Sequence, residues 1–168
     1  MHIDDETTDV LIGGYLSSEA AHQDYESVLA CGAKLFNARA ETVAQKPSFK
    51  NAFLRRRCLI PSDGFYEWKT EGKKKIPYTF SLKSGAPLVY AGLYEQWIAP
   101  DKKTVETCTI ITTQANSVVE PVHDRMPVIV PKVAQELWLN PEIKEPSRLL
   151  DILKPYPADE MICKPTAF

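Results

Sequence analysis

The chain has 168 residues, of which 44% are hydrophobic and 25% charged, with 13 prolines and 7 glycines. That is the size of one domain with a real core, and it excludes a disordered tail, a coiled coil and, with no apolar run near the roughly 18–20 residues of a membrane span, a transmembrane helix. The net charge of −2 hides an uneven distribution: residues 1–36 carry seven acids and one lysine, residues 37–104 thirteen bases and six acids, and residues 105–168 nine acids and six bases.

Val10, Leu11 and Ile12 predict a short strand ending at Gly13 and Gly14. Ser17 or Ser18 then caps a helix to Ala30, with Ala21, Tyr25, Val28 and Leu29 on its apolar side and Gly32 as its stop. Leu35 and Phe36 lead an extended segment through Asn37 and Arg39 into a loop. Pro47 opens a short helix with Phe49, Ala52 and Phe53 on one side and Arg55, Arg56 and Arg57 at its positive end. Cys58 to Pro61 reads as a buried strand, Ser62-Asp63-Gly64 as a turn, and Phe65 to Trp68 as the next strand.

The charged stretch from Lys69 to Ile76 reads as a hairpin loop, followed by an alternating strand from Pro77 to Lys83 and a turn at Ser84-Gly85. Pro87 to Trp97 is long, apolar and expected to be central. Val105 to Thr113 follows a tip at Asp101 to Thr104, and Val128 to Val130 makes one more strand. Pro131 begins a helix bearing Ala134, Leu137 and Trp138, and Ser147 caps a last helix that ends at Pro155. Between residues 58 and 113 the connections are too short for parallel crossovers, so hairpins and an antiparallel sheet are expected.

Cys31, Cys58, Cys108 and Cys163 form no CxxC pair, which points to reduced, mostly buried thiols in a cytoplasmic setting. Three histidines are too few for a closed zinc site, and no metal or cofactor is expected. Glu67 sits between Tyr66 and Trp68 but alternates with Phe65; a carboxylate among aromatics has its pKa raised and becomes a proton donor and acceptor near neutrality. The competing role is a strand-edge pair with Lys69. His123 lies in a polar triplet with Asp124 and Arg125 between Pro121 and Pro127, suited either to moving a proton or to a structural network with the sheet.

Asn37 and Arg39 alternate in phase, so one cleft can receive an amide that positions an oxygen and a guanidinium that grips a phosphate; a surface pair between Arg39 and Glu41 is the other reading. The positive middle likewise has two readings, a face for a phosphate backbone or lysines that solvate hairpins. On the first, Arg57 and the other bases of its cluster join Arg39 and Arg125 in contacting a strand, with Trp68 as a stacking surface for bases.

These segments occur together in a known order. The run Asn37-Ala38-Arg39-Ala40-Glu41-Thr42, the run from Arg57 to Trp68, Ala91-Gly92-Leu93-Tyr94-Glu95, Ile110 to Thr113 with Ala115-Asn116, and His123 to Val128 resemble the SOS response-associated peptidase domain proteins, an abasic-site-processing family, over residues 34–165. The resemblance implies an α+β fold, one domain over residues 1–168 with residues 1–33 divergent or truncated. Its centre is a curved, barrel-like, mainly antiparallel sheet with a few short flanking helices. It implies a monomer of peptidase or lyase type that binds single-stranded DNA at abasic sites. In the family an N-terminal cysteine traps the sugar aldehyde through its amine and thiol as a thiazolidine. The asparagine, glutamate and histidine around that cysteine match Asn37, Glu67 and His123.

The match fails at the start. The family begins Met-Cys-Gly-Arg, whereas this sequence begins Met1-His2-Ile3-Asp4, and a Trp-Gly segment ahead of the asparagine motif is missing. Cys31 is internal, with its α-nitrogen in an amide, and a thiazolidine needs a free amine and a thiol on one residue. The chain is therefore expected to lack the crosslinking step, as a truncated or diverged member. The alternative function is a noncatalytic single-stranded DNA-binding domain.

Overall fold

Strands of alternating polarity build two sheets in this computed structural model, which describes residues 10–12, 35–98 and 102–166. The larger sheet has six strands: β1 (Val10–Ile12), β2 (Asn37–Arg39), β3 (Arg57–Ser62), β6 (Leu88–Ile98), β7 (Thr104–Gln114) and β8 (Arg125–Pro127). The smaller holds β4 (Phe65–Glu71), β5 (Lys74–Leu82) and β9 (Met161–Pro165), in the order β4-β5-β9. All pairings are antiparallel except those of β1 and β2, which run parallel to β7. They follow one another along one edge of β7, while β6 and β8 take the other edge.

The helices are α1 (Pro47–Arg55), α2 (Lys132–Leu139) and α3 (Pro146–Leu150), with a 3₁₀ turn at Ala158–Glu160. Phe49, Ala52 and Phe53 of α1, Trp138 of α2 and Leu149 of α3 form one apolar cluster with Ala91, Leu93 and Ile111 of the larger sheet. The opposite face of that sheet supplies Leu88 and Tyr90, which cluster with Phe65, Phe80 and Met161 of the smaller sheet. Period-2 alternation along β6 thus sends successive residues into two cores. The result is three layers: helices, six-stranded sheet, three-stranded sheet.

The expected α+β class with mainly antiparallel strands is what forms. The barrel-like sheet is instead split in two, because β3 pairs only with β6 and β4 only with β5. The turn at Ser62-Asp63-Gly64 folds the chain from one sheet onto the face of the other. It is held by Ser62 Oγ and Tyr90 Oη, which both donate to the Gly64 carbonyl at 2.6 and 3.0 Å. A Cβ on Gly64 would lie 2.7 Å from the backbone carbonyl oxygen of Phe80. Backbone cannot yield as a flexible side chain does, so Gly64→Ala is expected to destabilise the domain by about 2 kcal/mol. Urea unfolding of the variant checks this; an unchanged midpoint would show that β5 moves aside freely.

Several boundaries differ from expectation. The hairpin between β4 and β5 is strand almost to its tip, with Glu71 opposite Lys74 and a turn in which Gly72 takes φ of 62°. Pro131 caps α2 from outside rather than opening it, and Pro146, not Ser147, is the first residue of α3, which ends at Leu150. The strand expected at Val128 to Val130 falls three residues earlier as β8, leaving Ile129 in an isolated bridge to Tyr90. The helix expected from Ser17 or Ser18 to Ala30 lies outside the described residues. Among the described residues no helix is long and apolar enough to cross a membrane.

Candidate active site and strand-binding surface

Strand alternation decides what Glu67 can meet. On β4, Phe65 is buried against the second core and Glu67 follows on that inner face, whereas Tyr66 and Trp68 are 47% and 45% exposed on the outer one. Burial raises the Glu67 carboxyl above its ordinary range; His123 opposes the shift and Asp124 adds to it. His123 Nε2 stands 4.0 Å from Glu67 Oε2, close enough for attraction and too far for a direct hydrogen bond.

The imidazole is oriented from its other nitrogen. The Arg125 backbone N–H lies 3.0 Å from His123 Nδ1 and the Arg125 carbonyl 3.3 Å from it, so the ring is held at Nδ1 and turns Nε2 toward Glu67. The Asp124 carboxylate lies 3.3 Å from the same Nδ1. A carboxyl that keeps its proton more readily than usual, opposite an imidazole nitrogen, forms an acid–base pair able to act on an oxygen placed between them.

Asn37 arrives from the other sheet. The registers set Asn37 beside Ile110, itself opposite Gly92, and Arg39 beside Thr112. Ile110 belongs to the inter-sheet cluster, so Asn37 and Arg39 share the face that looks toward the smaller sheet and the Glu67–His123 pair. Both are exposed, and among the described residues neither makes a side-chain hydrogen bond. The amide and guanidinium are thus turned outward on that face.

The remaining sequence candidates separate. Arg125 shares the same face, but its guanidinium forks onto the Glu41 carboxylate at 2.6 and 2.9 Å and donates to the Thr112 carbonyl at 2.7 Å. That hydrogen bond, with the charge behind it, holds the Glu41 carboxyl below its usual range. Glu41 therefore pairs with Arg125 rather than chiefly with Arg39, a partnership that depends on β2, β7 and β8 lying side by side. Trp68 stands on the face of β4 opposite Glu67, at the edge of the smaller sheet.

Arg57 requires a correction. Expected on the strand-binding surface, it is 8% exposed and donates inward to the carbonyls of Trp138 (2.6 Å) and Phe53 (2.9 Å) and to those of Asn140 and Ile143. Its neighbour Arg56 is also committed, in an ion pair with the buried Glu95 at 2.7 Å. Of that basic cluster only Arg55 is exposed.

The thiols are equally informative. Burial, with the neighbouring Cys108, pushes the Cys58 thiol up to about 12, and burial also raises Cys108 and Cys163. None is a thiolate at neutral pH. Cys31 lies outside the described residues. Among the described residues no group of His, Cys, Asp and Glu could hold a metal ion.

The α+β domain thus sets a half-buried carboxyl 4.0 Å from an imidazole, with an amide and an arginine on the facing sheet. The chain belongs to the SOS response associated peptidase (SRAP) family, whose model matches residues 14–167. It is 49% identical over 131 residues to the abasic site processing protein YoqW of Bacillus subtilis, covering 77% of this chain and 58% of that protein. It is 32% identical over 117 residues to the abasic site processing protein YedK of Escherichia coli, covering 68% of this chain and 52% of YedK. The chain thus spans little more than half the length of these relatives. A crystal structure of a Bacteroides thetaiotaomicron protein superposes with a TM-score of 0.87 at 31% identity, covering 92% of this chain and 67% of that one.

Proposed function

We propose that this chain binds single-stranded DNA at abasic sites and places the ring-opened sugar between its two sheets. The observation that carries the reading is the Glu67–His123 approach at 4.0 Å, on the face that Asn37 shares. In this reading Glu67 gives and takes the proton that opens the sugar to its aldehyde. His123 Nε2 faces a sugar or phosphate oxygen, and Asn37 positions the reacting oxygen. Arg39 meets the flanking phosphate. Because β4 is an edge strand, a flexible nucleic-acid strand leaving the inner face rounds that edge and reaches Trp68, where a base stacks. The abasic-site chemistry named for YoqW and YedK supports this assignment.

A second reading, binding without durable crosslinking, is favoured by the thiols. Thiazolidine capture needs a free amine and a thiol on one residue, and the described thiols of Cys58, Cys108 and Cys163 are internal and held protonated by burial. In this reading the described domain recognises the site and moves protons but does not trap the aldehyde.

The test mixes the full chain with a single strand carrying one abasic site and with the intact strand, at low and moderate salt, with native and denaturing gels in parallel. Retention of the abasic strand is expected, weakening steeply as salt rises. Arg39→Glu is expected to reduce retention about tenfold whatever the base sequence. Absence of retention at low salt defeats both readings; a heat-stable shifted band on the denaturing gel defeats the second.

A further inference from the structure

The three-stranded sheet is the outermost of the three layers, so its two faces meet different surroundings. Phe65, Phe80 and Met161 point inward to the core shared with the larger sheet. Alternation turns their neighbours along each strand outward, where Tyr66, Trp68, Lys75 and Lys164 are all exposed. The registers set Tyr66, Thr79 and Lys164 in one row across β4, β5 and β9. Trp68 stands beside Pro77 in the next row, and Lys75 lies opposite Thr70 beyond it, toward the hairpin tip.

Two large rings left exposed side by side mark a contact surface. Their Cα atoms are about 7 Å apart along β4, room for one flat group on each ring. The charge on this face has a single sign. Its other positions are Thr, Ser, Pro and Ile, with no acid, although the chain as a whole carries −2. Glu67 and Glu71 of β4 face the other way, and Glu71 is taken by Lys69 at 2.9 Å. Among the described residues neither Lys75 nor Lys164 has an ion-pair partner. Rings that accept flat groups, flanked by cations and clear of acids, match a flexible chain of bases on a phosphate backbone. An acidic peptide would satisfy the lysines and leave both rings without flat partners.

We propose that this outer face is a second contact surface for single-stranded nucleic acid, on which Tyr66 and Trp68 stack neighbouring bases and Lys75 and Lys164 meet phosphates. Both lysines lie to the same side of β4, so the phosphates run over β5 and β9 while the bases rest on the rings. Continuity with the Glu67 side, around the β4 edge, rests on the abasic-site reading above; the surface itself does not.

Trp68 gives this face its own reporter, because the other two tryptophans, Trp97 and Trp138, are buried. Intact single strands long enough to cover both faces are titrated into the full chain while tryptophan emission is followed. Quenching is expected. Lys75→Gln and Lys164→Gln are each expected to lower the log–log salt slope by about 0.7, which is about fivefold in affinity at moderate salt. Trp68→Ala is expected to cost about tenfold. Neither lysine packs in a core, so glutamine leaves the fold intact. A short strand, with one nucleotide on each side of an abasic site, is expected to bind both lysine variants alike and to leave emission unchanged. Absence of long-strand binding, or binding with unquenched emission and unaltered slopes in both lysine variants, overturns the proposal. So does polyglutamate that displaces the long strand at equal charge, which would make the face a general anion surface. Quenching by intact strands without preference for abasic ones keeps this surface and removes the abasic-site reading. Retention of the short abasic strand, with no quenching by the long one, does the reverse.

Discussion

Arg57→Met is expected to destabilise the domain by about 3 kcal/mol or more, a large share of the roughly 5–15 kcal/mol that holds a domain of this size together. The last carbonyls of a helix have no partner within it, and Arg57 sits where two such ends meet. Phe53 belongs to the last turn of α1, and Trp138 and Asn140 lie at the end of α2; one guanidinium serves all three while lying 5.7 Å over the Trp138 ring. Positive charge is also favoured there by the two helix dipoles. Burial lowers the pKa of Arg57, and yet it stays cationic, because guanidinium starts so high. Methionine fills much of the volume and abandons every carbonyl. Arg57→Lys is expected to recover less than half the loss, since an ammonium cannot span the fork. Thermal melting should fall by roughly 10 °C in the methionine variant. A fall of only a degree or two, together with loss of DNA retention, would return Arg57 to the surface role its sequence position suggests.

That residue also shows where reading a sequence stops. Arg55, Arg56 and Arg57 are three identical charges in a row, yet one is exposed, one is ion-paired to Glu95 and one is buried. Which is which depends on where α1 hands over to β3 and on α2, some eighty residues away. Local signals fared better: proline at the start of α1, its Phe49-Ala52-Phe53 stripe, and the alternation that put Glu67 with Phe65 rather than with Tyr66 and Trp68. Strand β9 carries little such signal, being five residues that end in Pro165, and owes its existence to pairing with β5. The short β1 and β2 belong to a sheet only because β7 offers them an edge. In the site, Glu67 and His123 were legible one at a time. Their approach, and the choice of Arg125 as the partner of Glu41, arise from strands brought together by the fold.

Glu67→Gln is expected to slow proton-dependent steps at an abasic site by about 10²–10⁴-fold while intact-strand affinity stays nearly unchanged. The amide has the shape of the carboxyl and can accept a hydrogen bond from a ligand oxygen as the carboxyl can, but it cannot shuttle a proton. The same substitution has a signature in stability whose sign is fixed. Burial raises the folded-state pKa of Glu67 above that of the unfolded chain. The native state therefore favours the protonated form, and this contribution is complete below the ordinary glutamate range and is lost as pH rises through the raised value. A glutamine carries no such loss. Between acid and neutral pH the wild type should lose stability relative to Glu67→Gln, so the variant gains on it as pH rises and the difference levels off above the folded pKa. Urea unfolding at several pH values measures that trend, and strand scission followed on denaturing gels across the same range measures the rate. An unaltered rate with the stability trend intact would leave Glu67 a half-buried carboxylate with no part in the chemistry. A lost rate with no trend would mean that its proton affinity is not set by burial between the sheets.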